Sequence, residues 1–159
     1  MNVHQILLNL IFDKLIFHDK HTFKRINKYT KKMKIIDLYN IDCEYSSYFD
    51  DDILMNYIDA TKLNAKGNRN ITDVNHMTKL KVLRACGSCG INNKGIINLN
   101  DLEILNVGDN SKITNINHMI KLKELYACGS CGINNAGLIN IKNLEILAIR
   151  GNQKITKEI

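Results

Sequence analysis

A 42-residue internal repeat is the feature of this sequence that most restricts its fold. The segment LNAKGNRNITDVNHM, beginning at Leu63, aligns with LNVGDNSKITNINHM, beginning at Leu105, at an offset of 42 residues. The segment KLKVLRACGSCGINNKGI, beginning at Lys79, aligns with KLKELYACGSCGINNAGL, beginning at Lys121, at the same offset. Self-similarity at a fixed period is typical of solenoids, in which each repeat stacks only on its neighbours. The sequence therefore predicts a stack of similar coils.

Each 42-residue copy divides into two units that follow the template L-x-x-L-x-L-x-x-N. The units begin at residues 60, 80, 102, 122 and 144, so their lengths are 20, 22, 20 and 22 residues. This pattern resembles the leucine-rich repeat, and it is similar to the cysteine-containing subfamily found in F-box proteins. The resemblance implies an α/β solenoid, a right-handed coil with a parallel β-sheet on its concave face.

The template also assigns the two sides of each strand, because successive side chains in a strand point to opposite faces. In the unit that begins at residue 80, Leu83 and Ala85 are expected to point inward, whereas Val82 and Arg84 point outward. We refer to the outward side of the strands as the strand face, and we predict that it binds a target protein. Arg84 and Tyr126 are the expected anchors, since these residue types dominate binding hot spots. The predicted contact residues are Lys62, Asn64, Lys66, Val82, Arg84, Cys86, Ile104, Asn106, Glu124, Tyr126, Cys128, Ile146 and Arg150.

Polar residues occupy the last position of the template, where each strand ends. Asn68, Asn110 and Asn152 are expected to form hydrogen bonds with backbone groups of the turn and so to build a ladder. Ser88 and Ser130 take the same position in the other two units and are expected to do so more weakly.

The motif CGSCG occurs twice, 42 residues apart, and two CxxC pairs raise the alternatives of a zinc site or a redox-active thiol pair. In a regular solenoid, however, Cys86 and Cys128 lie two coils apart, at about 10 Å. That separation is too large for a disulfide or for one tetrahedral zinc ion. We therefore interpret the pairs as copies of one structural unit, with Cys89 and Cys131 packed in the turns. No metal, cofactor or catalytic residue is predicted.

Residues 1–32 do not follow the repeat, and their apolar periodicity predicts two short helices. The segment ILLNLIFDKLIFHDKHTFKRINKYTKKM resembles the F-box, with its I-L-x-x-I-F-x-x-L-x-x-x-D-x-x-x-F-x-x-V-N-K core. The resemblance implies that a Skp-type adaptor of a cullin–RING (SCF-type) ubiquitin ligase binds here. The alternative is a helical cap that covers the first coil. The residues that the resemblance assigns to the adaptor contact are Ile6, Leu7, Leu10, Ile11, Phe12, Leu15, Phe23 and Ile26.

The segment between the helices and the repeats carries the template only weakly. Met33, Ile36, Leu38 and Ile41 fit it and predict a degenerate first repeat. The acidic run at residues 50–52 is expected to form a solvated loop. The predicted organisation is an F-box-like segment or cap at residues 1–32, a degenerate repeat or linker with an acidic excursion at 33–59, and leucine-rich repeats at 60–159.

Charge and apolar composition restrict the partners. The net charge is +6, but the basic residues are dispersed and few aromatics accompany them, so no specific nucleic-acid surface is predicted. No stretch offers the ~20 apolar residues of a membrane span, and residues 6–12 lack the flanks of a signal peptide. The five cysteines are therefore expected to be reduced in the cytoplasm. The Ile-, Asn- and Lys-rich composition resembles that of proteins of large DNA viruses. This resemblance implies that the chain is located in the host cytoplasm.

The predicted function is a non-catalytic protein–protein interaction module that serves as substrate receptor of a ubiquitin ligase. A plain leucine-rich-repeat scaffold without a ubiquitin role is the alternative, and a CxxC redox or zinc protein is the remote one. Self-association through an uncapped C-terminal end is also expected, because an exposed solenoid end is an unpaired sheet edge.

Overall fold

The described strands form one parallel sheet in which each strand pairs with its neighbours in sequence. The computed structural model describes residues 37–39 and 49–156 of the chain. The predicted helices of residues 1–32 and their adaptor contacts lie outside these residues. Chain-order pairing is the topology of a solenoid, so the predicted parallel solenoid is confirmed. The strands are β1 (Asp37–Leu38), β2 (Lys62–Asn64), β3 (Val82–Arg84), β4 (Ile104–Asn106), β5 (Glu124–Tyr126) and β6 (Ile146–Ala148).

A row of leucines runs through the sheet at right angles to the strands. Leu63 lies opposite Leu83, and Leu105 lies opposite Leu125, with the central residue of every described strand in the same register. In β2 to β5 this leucine is buried while its two strand neighbours are more exposed. The fourth template position therefore fixes the register, because a shift by one residue would bring every polar neighbour into the core.

The core lies between the sheet and the return half of each coil. Leu83, Ile91, Ile96 and Leu99 of one coil are 0–1% exposed, and their counterparts 42 residues later are buried as well. Burying an aliphatic side chain of this size contributes about 1.5–3 kcal/mol, and no single coil could enclose these groups alone. The return halves contain α1 (Asp51–Leu54) and two 3₁₀ helices (Lys94–Ile96 and Asn135–Leu138).

A left-handed residue ends the strand of each coil from the second onward. Gly87 has a φ of 67° and Gly129 a φ of 64°, and the equivalent residue of the coil between them is Asp109, with a φ of 59°. Asp tolerates this conformation better than most side chains because it can form local hydrogen bonds. Asp109 Oδ1 accepts hydrogen bonds from Ser130 N at 3.0 Å and from Ser130 Oγ at 3.3 Å.

The predicted asparagine ladder is present. Asn68, Asn110 and Asn152 are the buried polar residues of the described chain. Asn110 Nδ2 donates to Ala85 O at 2.8 Å and to Ile91 O at 3.2 Å, while its Oδ1 accepts from Lys112 N at 3.0 Å. Each amide thus satisfies backbone groups that no sheet or helix bond reaches.

The turns that contain Ser88 and Ser130 are bonded mainly by lysine side chains of the following coils. Ser88 is exposed, and its hydroxyl donates to Gly67 O only at 3.4 Å. Lysines of the following coils bond these turns instead: Lys112 Nζ donates to Cys89 O at 2.9 Å, and Lys154 Nζ donates to Cys131 O at 3.1 Å.

The acidic run at residues 50–52 belongs to a coil, so the prediction of a solvated loop is wrong. Asp50 caps α1 by accepting a hydrogen bond from Ile53 N at 3.0 Å. Asp51 Oδ1 accepts from Thr72 N at 2.7 Å and from Asp73 N at 3.1 Å. Asn93, 42 residues later, forms the equivalent bond with the next coil, accepting from Thr114 N at 2.8 Å. The carboxylates of Asp50 and Asp51 therefore accept hydrogen bonds from backbone N–H groups.

The register of β1 differs from the sequence alignment by two residues. Leu38 lies opposite Leu63, which is the fourth position of its unit, whereas the alignment gave Leu38 the sixth position. The unit thus starts at residue 35 in place of residue 33. As a result, Tyr39 corresponds to Asn64 and belongs to the outward row of the strand face.

The sixth described coil is less enclosed than those before it. Leu144, Leu147 and Ile149 are only partly buried, whereas their counterparts Leu122 and Leu125 are completely buried. Among the described residues, none of the helices has the length and apolar character needed to cross a membrane.

Candidate functional site

The strand face carries apolar, aromatic, basic and acidic side chains in two rows. One outward row runs Lys62, Val82, Ile104, Glu124 and Ile146 from β2 to β6. The neighbouring row runs Tyr39, Asn64, Arg84, Asn106 and Tyr126 across the first five coils, as the sheet register shows. Apolar residues therefore lie in the middle of the face, with polar and aromatic residues around them.

A depression of about 350 Å³ occupies this face. Val82 and Ile104 form its apolar part, and Tyr39 and Tyr126 also line it. A concave apolar floor with a few polar groups around it is the usual form of a binding site. The remaining lining residues are Lys62, Leu83, Asn106 and Glu124.

Tyr126 and Glu124 form a fixed pair in the lining of the depression. The tyrosine hydroxyl donates to Glu124 Oε2 at 2.8 Å. This hydrogen bond, followed by burial and by the charges of Glu124 and Tyr39, raises the pKa of Tyr126. The ring of Tyr126 is thereby oriented before any partner arrives, which lowers the entropy cost of binding.

Most of the predicted contact residues reach the surface, although their role in binding stays a prediction. Cys86 is the exception, because it is only 7% exposed. Its short side chain lies between turns whose backbones are paired, with Gly67 N donating to Cys86 O at 3.0 Å. Exposed members of the predicted set are Lys62, Lys66, Ile146 and Arg150, and half-buried ones are Asn64, Val82, Arg84, Ile104, Asn106, Glu124, Tyr126 and Cys128.

Tyr39 is the strand-face residue that the sequence prediction missed. No contact residue was predicted in the first unit, whose alignment put Tyr39 at the seventh template position, and the register of β1 places it at the fifth, opposite Asn64. The signal that identifies it is Leu38, whose side chain is 1% exposed and therefore occupies the central core position of its strand.

The cysteine pairs have no feature of a reactive site. Cys86, Cys89, Cys128 and Cys131 are all free, and β4 separates the strands that precede the two motifs. Burial raises the pKa of the Cys89 thiol to about 11, and burial also raises the pKa of Cys131. Redox-active thiols need the opposite shift, since the thiolate is the reactive form. Within the described ranges, no three His, Cys, Asp or Glu side chains lie close enough to hold a metal ion.

The two equivalent histidines lie on the return side of the coils and are half-buried. His118 Nε2 lies 2.9 Å from Ile96 O of the preceding coil. His76 Nε2 is buried and has no hydrogen-bond partner. Neither histidine belongs to a group of potential metal ligands, because the described residues contain no such group of three.

The margin of the sheet, next to the strand face, carries lysines that form ion pairs with acidic side chains. Lys81 lies 3.4 Å from Glu103, Lys123 lies 3.2 Å from the same carboxylate, and Lys121 lies 2.5 Å from Asp101. Hydrogen bonds from Lys123 and Lys81 lower the pKa of Glu103. Exposed pairs of this kind add little stability. They place three lysines against two carboxylates, so most of the charge at this margin is paired.

The structure is similar to two internalins from Listeria monocytogenes. Internalin C2 aligns with a TM-score of 0.54 and 21% identity over 68% of this chain and 49% of that chain. The internalin InlF aligns with a TM-score of 0.58 and 20% identity over 83% of this chain and 45% of that chain. The chain thus spans about half the length of each. No protein-family model and no curated protein sequence matches it. The likeness shows a shared fold, the leucine-rich-repeat solenoid.

Proposed function

We propose that this protein is an interaction scaffold and that its partner is a protein that docks on the strand face. The observation that carries the proposal is the depression lined by Tyr39 and Tyr126, with Val82 and Ile104 as its apolar part. Apolar area flanked by aromatic and Arg side chains is the composition of interface hot spots. The solenoid fold shared with the internalins is consistent with this role.

Selection of displayed random peptides against the folded protein tests this proposal. Tyr126→Ala should weaken the selected peptides by about tenfold or more, which is the effect expected of a hot-spot tyrosine. Ile97→Ala is the matched control, because Ile97 is 60% exposed on the return side. It should leave affinity within about twofold, as surface changes away from a contact do. Peptides that respond more strongly to Ile97→Ala would contradict the proposal.

A finer proposal is that the F-box-like segment binds a Skp-type adaptor, which would make the protein a substrate receptor of a cullin–RING ubiquitin ligase in the host cytoplasm. Its support is the sequence resemblance of residues 6–28. A pull-down with purified adaptor tests it: Ile11→Asp or Phe12→Asp should abolish capture while the circular dichroism of the solenoid stays unchanged. No capture by the intact chain would leave the plain scaffold.

Self-association through the last described coil is a further proposal for this scaffold. It is supported by the incomplete burial of Leu144, Leu147 and Ile149. Sedimentation velocity over a concentration series should show a dimer that dissociates on dilution. A monomer at every concentration would contradict it.

A further inference from the structure

The strand face contains a guanidinium for which the described residues provide no hydrogen-bond acceptor. Arg84 lies in β3, in register with Asn64 on one side and Asn106 on the other. Its Nε atom is buried and has no hydrogen-bond acceptor. Arg84 also takes part in none of the ion pairs of the described residues. A buried charged donor without an acceptor is unfavourable, so binding of an acceptor at this site lowers the free energy.

The two neighbouring asparagines add donors to the same row. Asn64 Oδ1 accepts from Lys66 N at 3.1 Å, and Asn106 Oδ1 accepts from Gly108 N at 3.2 Å. Because each carbonyl oxygen is turned towards its own backbone, the amide nitrogen is left as the free end of the side chain. Neighbouring strands lie about 4.8 Å apart, so three donor groups stand side by side across β2, β3 and β4.

The charge of the strand face has the same sign as Arg84. Among its described side chains, Lys62, Lys66, Arg84 and Arg150 are basic and only Glu124 is acidic. The carboxylate of Glu124 is engaged by the hydroxyl of Tyr126 at 2.8 Å. Lys62 lies in register with Asp37 of β1, so the basic excess of the described face lies with Lys66, Arg84 and Arg150. This excess favours a partner with a negative charge.

We infer that the strand face binds a partner protein through an acidic side chain, an Asp or Glu whose carboxylate lies over Arg84. The guanidinium donates two parallel hydrogen bonds to that carboxylate, and the amides of Asn64 and Asn106 donate to oxygen atoms beside it. Apolar side chains of the same partner segment fill the adjoining depression over Val82 and Ile104. The inference rests on the proposed function and specifies the chemistry of the partner.

A nucleic acid fits this face less well than an acidic protein segment. Binding of single-stranded nucleic acid needs a basic track together with aromatic rings that stack successive bases. Tyr39 and Tyr126 are the aromatic residues among the described side chains of the face, and they do not form the series of rings that successive bases need. The lysines at the margin beside the face are engaged in ion pairs with Glu103 and Asp101 and do not form a free basic track.

The test uses the intact chain and peptides selected from a random displayed library. Selected peptides should share one Asp or Glu, and Arg84→Met should weaken them by about 10–100-fold, the loss expected for a charge-assisted hydrogen-bonded pair. Arg69→Met is the matched control, because Arg69 is an exposed turn residue off the strand face. It removes the same charge and should leave affinity within about twofold. When the peptide acid is changed to its amide, Arg84→Met should have little further effect.

The outcomes separate the inference from the function on which it rests. Peptides weakened by Tyr126→Ala but not by Arg84→Met overturn the inference and leave the scaffold function standing. Peptides that respond to neither change overturn both. Tighter binding of an oligouridine than of any peptide, with the same dependence on Arg84, would assign the site to phosphate and overturn the acidic protein partner. Thermal unfolding checks that each variant is folded. If Arg84→Met is not folded, Arg84→Lys replaces it and should retain part of the affinity.

Discussion

Asn110 Nδ2 donates a hydrogen bond of 2.8 Å to the carbonyl oxygen of Ala85, and this bond joins one coil to the strand of the coil before it. A second bond, to Ile91 O at 3.2 Å, joins the same amide to the return half of that coil. One buried side chain therefore holds both ends of a neighbouring turn. The strand face depends on such links, because strands of only three residues offer few ladder bonds of their own.

Asn110→Ala should destabilise the protein by about 2–4 kcal/mol, since two buried carbonyls lose their donor at about 1–3 kcal/mol each. Asn98→Ala is the control, because the Asn98 side chain is exposed and this residue bonds through its backbone, whose N–H donates to Asn75 Oδ1 at 2.9 Å and whose carbonyl accepts from Asn100 N at 3.0 Å. That change should stay within about 0.5 kcal/mol. Urea unfolding measures the stability of both variants. Equal losses of stability would show that the buried amide of Asn110 contributes no more than an exposed one.

Gly129→Ala should cost more than Gly87→Ala, although both glycines have a left-handed φ near 65°. A Cβ at Gly87 meets nothing within 4 Å, so its cost is the backbone strain of about 1–2 kcal/mol. A Cβ at Gly129 would lie 2.1 Å from Asp109 Oδ1 and would displace the hydrogen bonds to Ser130. The added loss should be about 0.5–1.5 kcal/mol.

Chemical denaturation of the single and double variants separates the two contributions at Gly129. In an Asp109→Gly background the extra cost should disappear, leaving Gly129→Ala equal to Gly87→Ala. A penalty that persists in that background would mean that the clash with Asp109 is not its cause.

Asp51→Asn should be nearly neutral, whereas Asp51→Ala should destabilise the protein by about 1–3 kcal/mol. Asp51 accepts hydrogen bonds from the backbone of Thr72 and Asp73, and Asn93 performs the equivalent task with an amide oxygen. An acceptor is needed here, and a charge is not. Asp52→Ala is the control, because Asp52 is exposed. A thermal shift as large for Asp51→Asn as for Asp51→Ala would contradict this account.

Stability should fall as the pH rises from 9 to 11 because of Cys89. Its pKa is about 11 in the folded protein and 9.0 as the ordinary value, so the unfolded chain releases the proton first. In that window the native state binds more protons than the unfolded state, and the free energy of unfolding decreases with pH, by up to about 2–3 kcal/mol. Below pH 9 this group has no effect.

Cys89→Ala isolates the contribution of that thiol from other titrations at high pH. The difference in unfolding free energy between the native sequence and Cys89→Ala should be constant below pH 9 and should change in favour of the variant above it. A difference that stays constant up to pH 11 would mean that the thiol is not held in its neutral form by burial.

The repeated part of the chain could be predicted from its sequence because the same physical constraint recurs in each unit. Leu83 and Leu105 must be buried and Asn110 must bond a turn, so periodic leucines and asparagines reveal the strand, its register and its two faces. Alternation also placed Arg84 and Tyr126 outward. The pairing of Tyr126 with Glu124 and the lack of an acceptor for Arg84 Nε among the described residues could not be predicted, since they depend on rotamers.

A degenerate first coil was predicted, but its register could not be, because its length hides its periodicity. Leu38 precedes its counterpart Leu83 by 45 residues, whereas Asp51 precedes Asn93 by 42. Three additional residues therefore lie between the strand and the return half, and no single offset aligns both. Alternating apolar residues fit the template at two starting points, so only the burial of Leu38 determines which one is correct.

From residue 60 onward, the bonds between adjacent coils join unlike neighbours, a 20-residue coil to a 22-residue one. Asn93 reaches forward from a longer coil to Thr114 of a shorter one, and Asn117 reaches from the shorter coil to Ala136 of the next longer one. An in-frame gene duplication that keeps every such junction must therefore add 42 residues, which lengthens the sheet by two strands, or about 10 Å. The span available to a ligand can grow only in steps of that size, whether by evolution or by protein engineering.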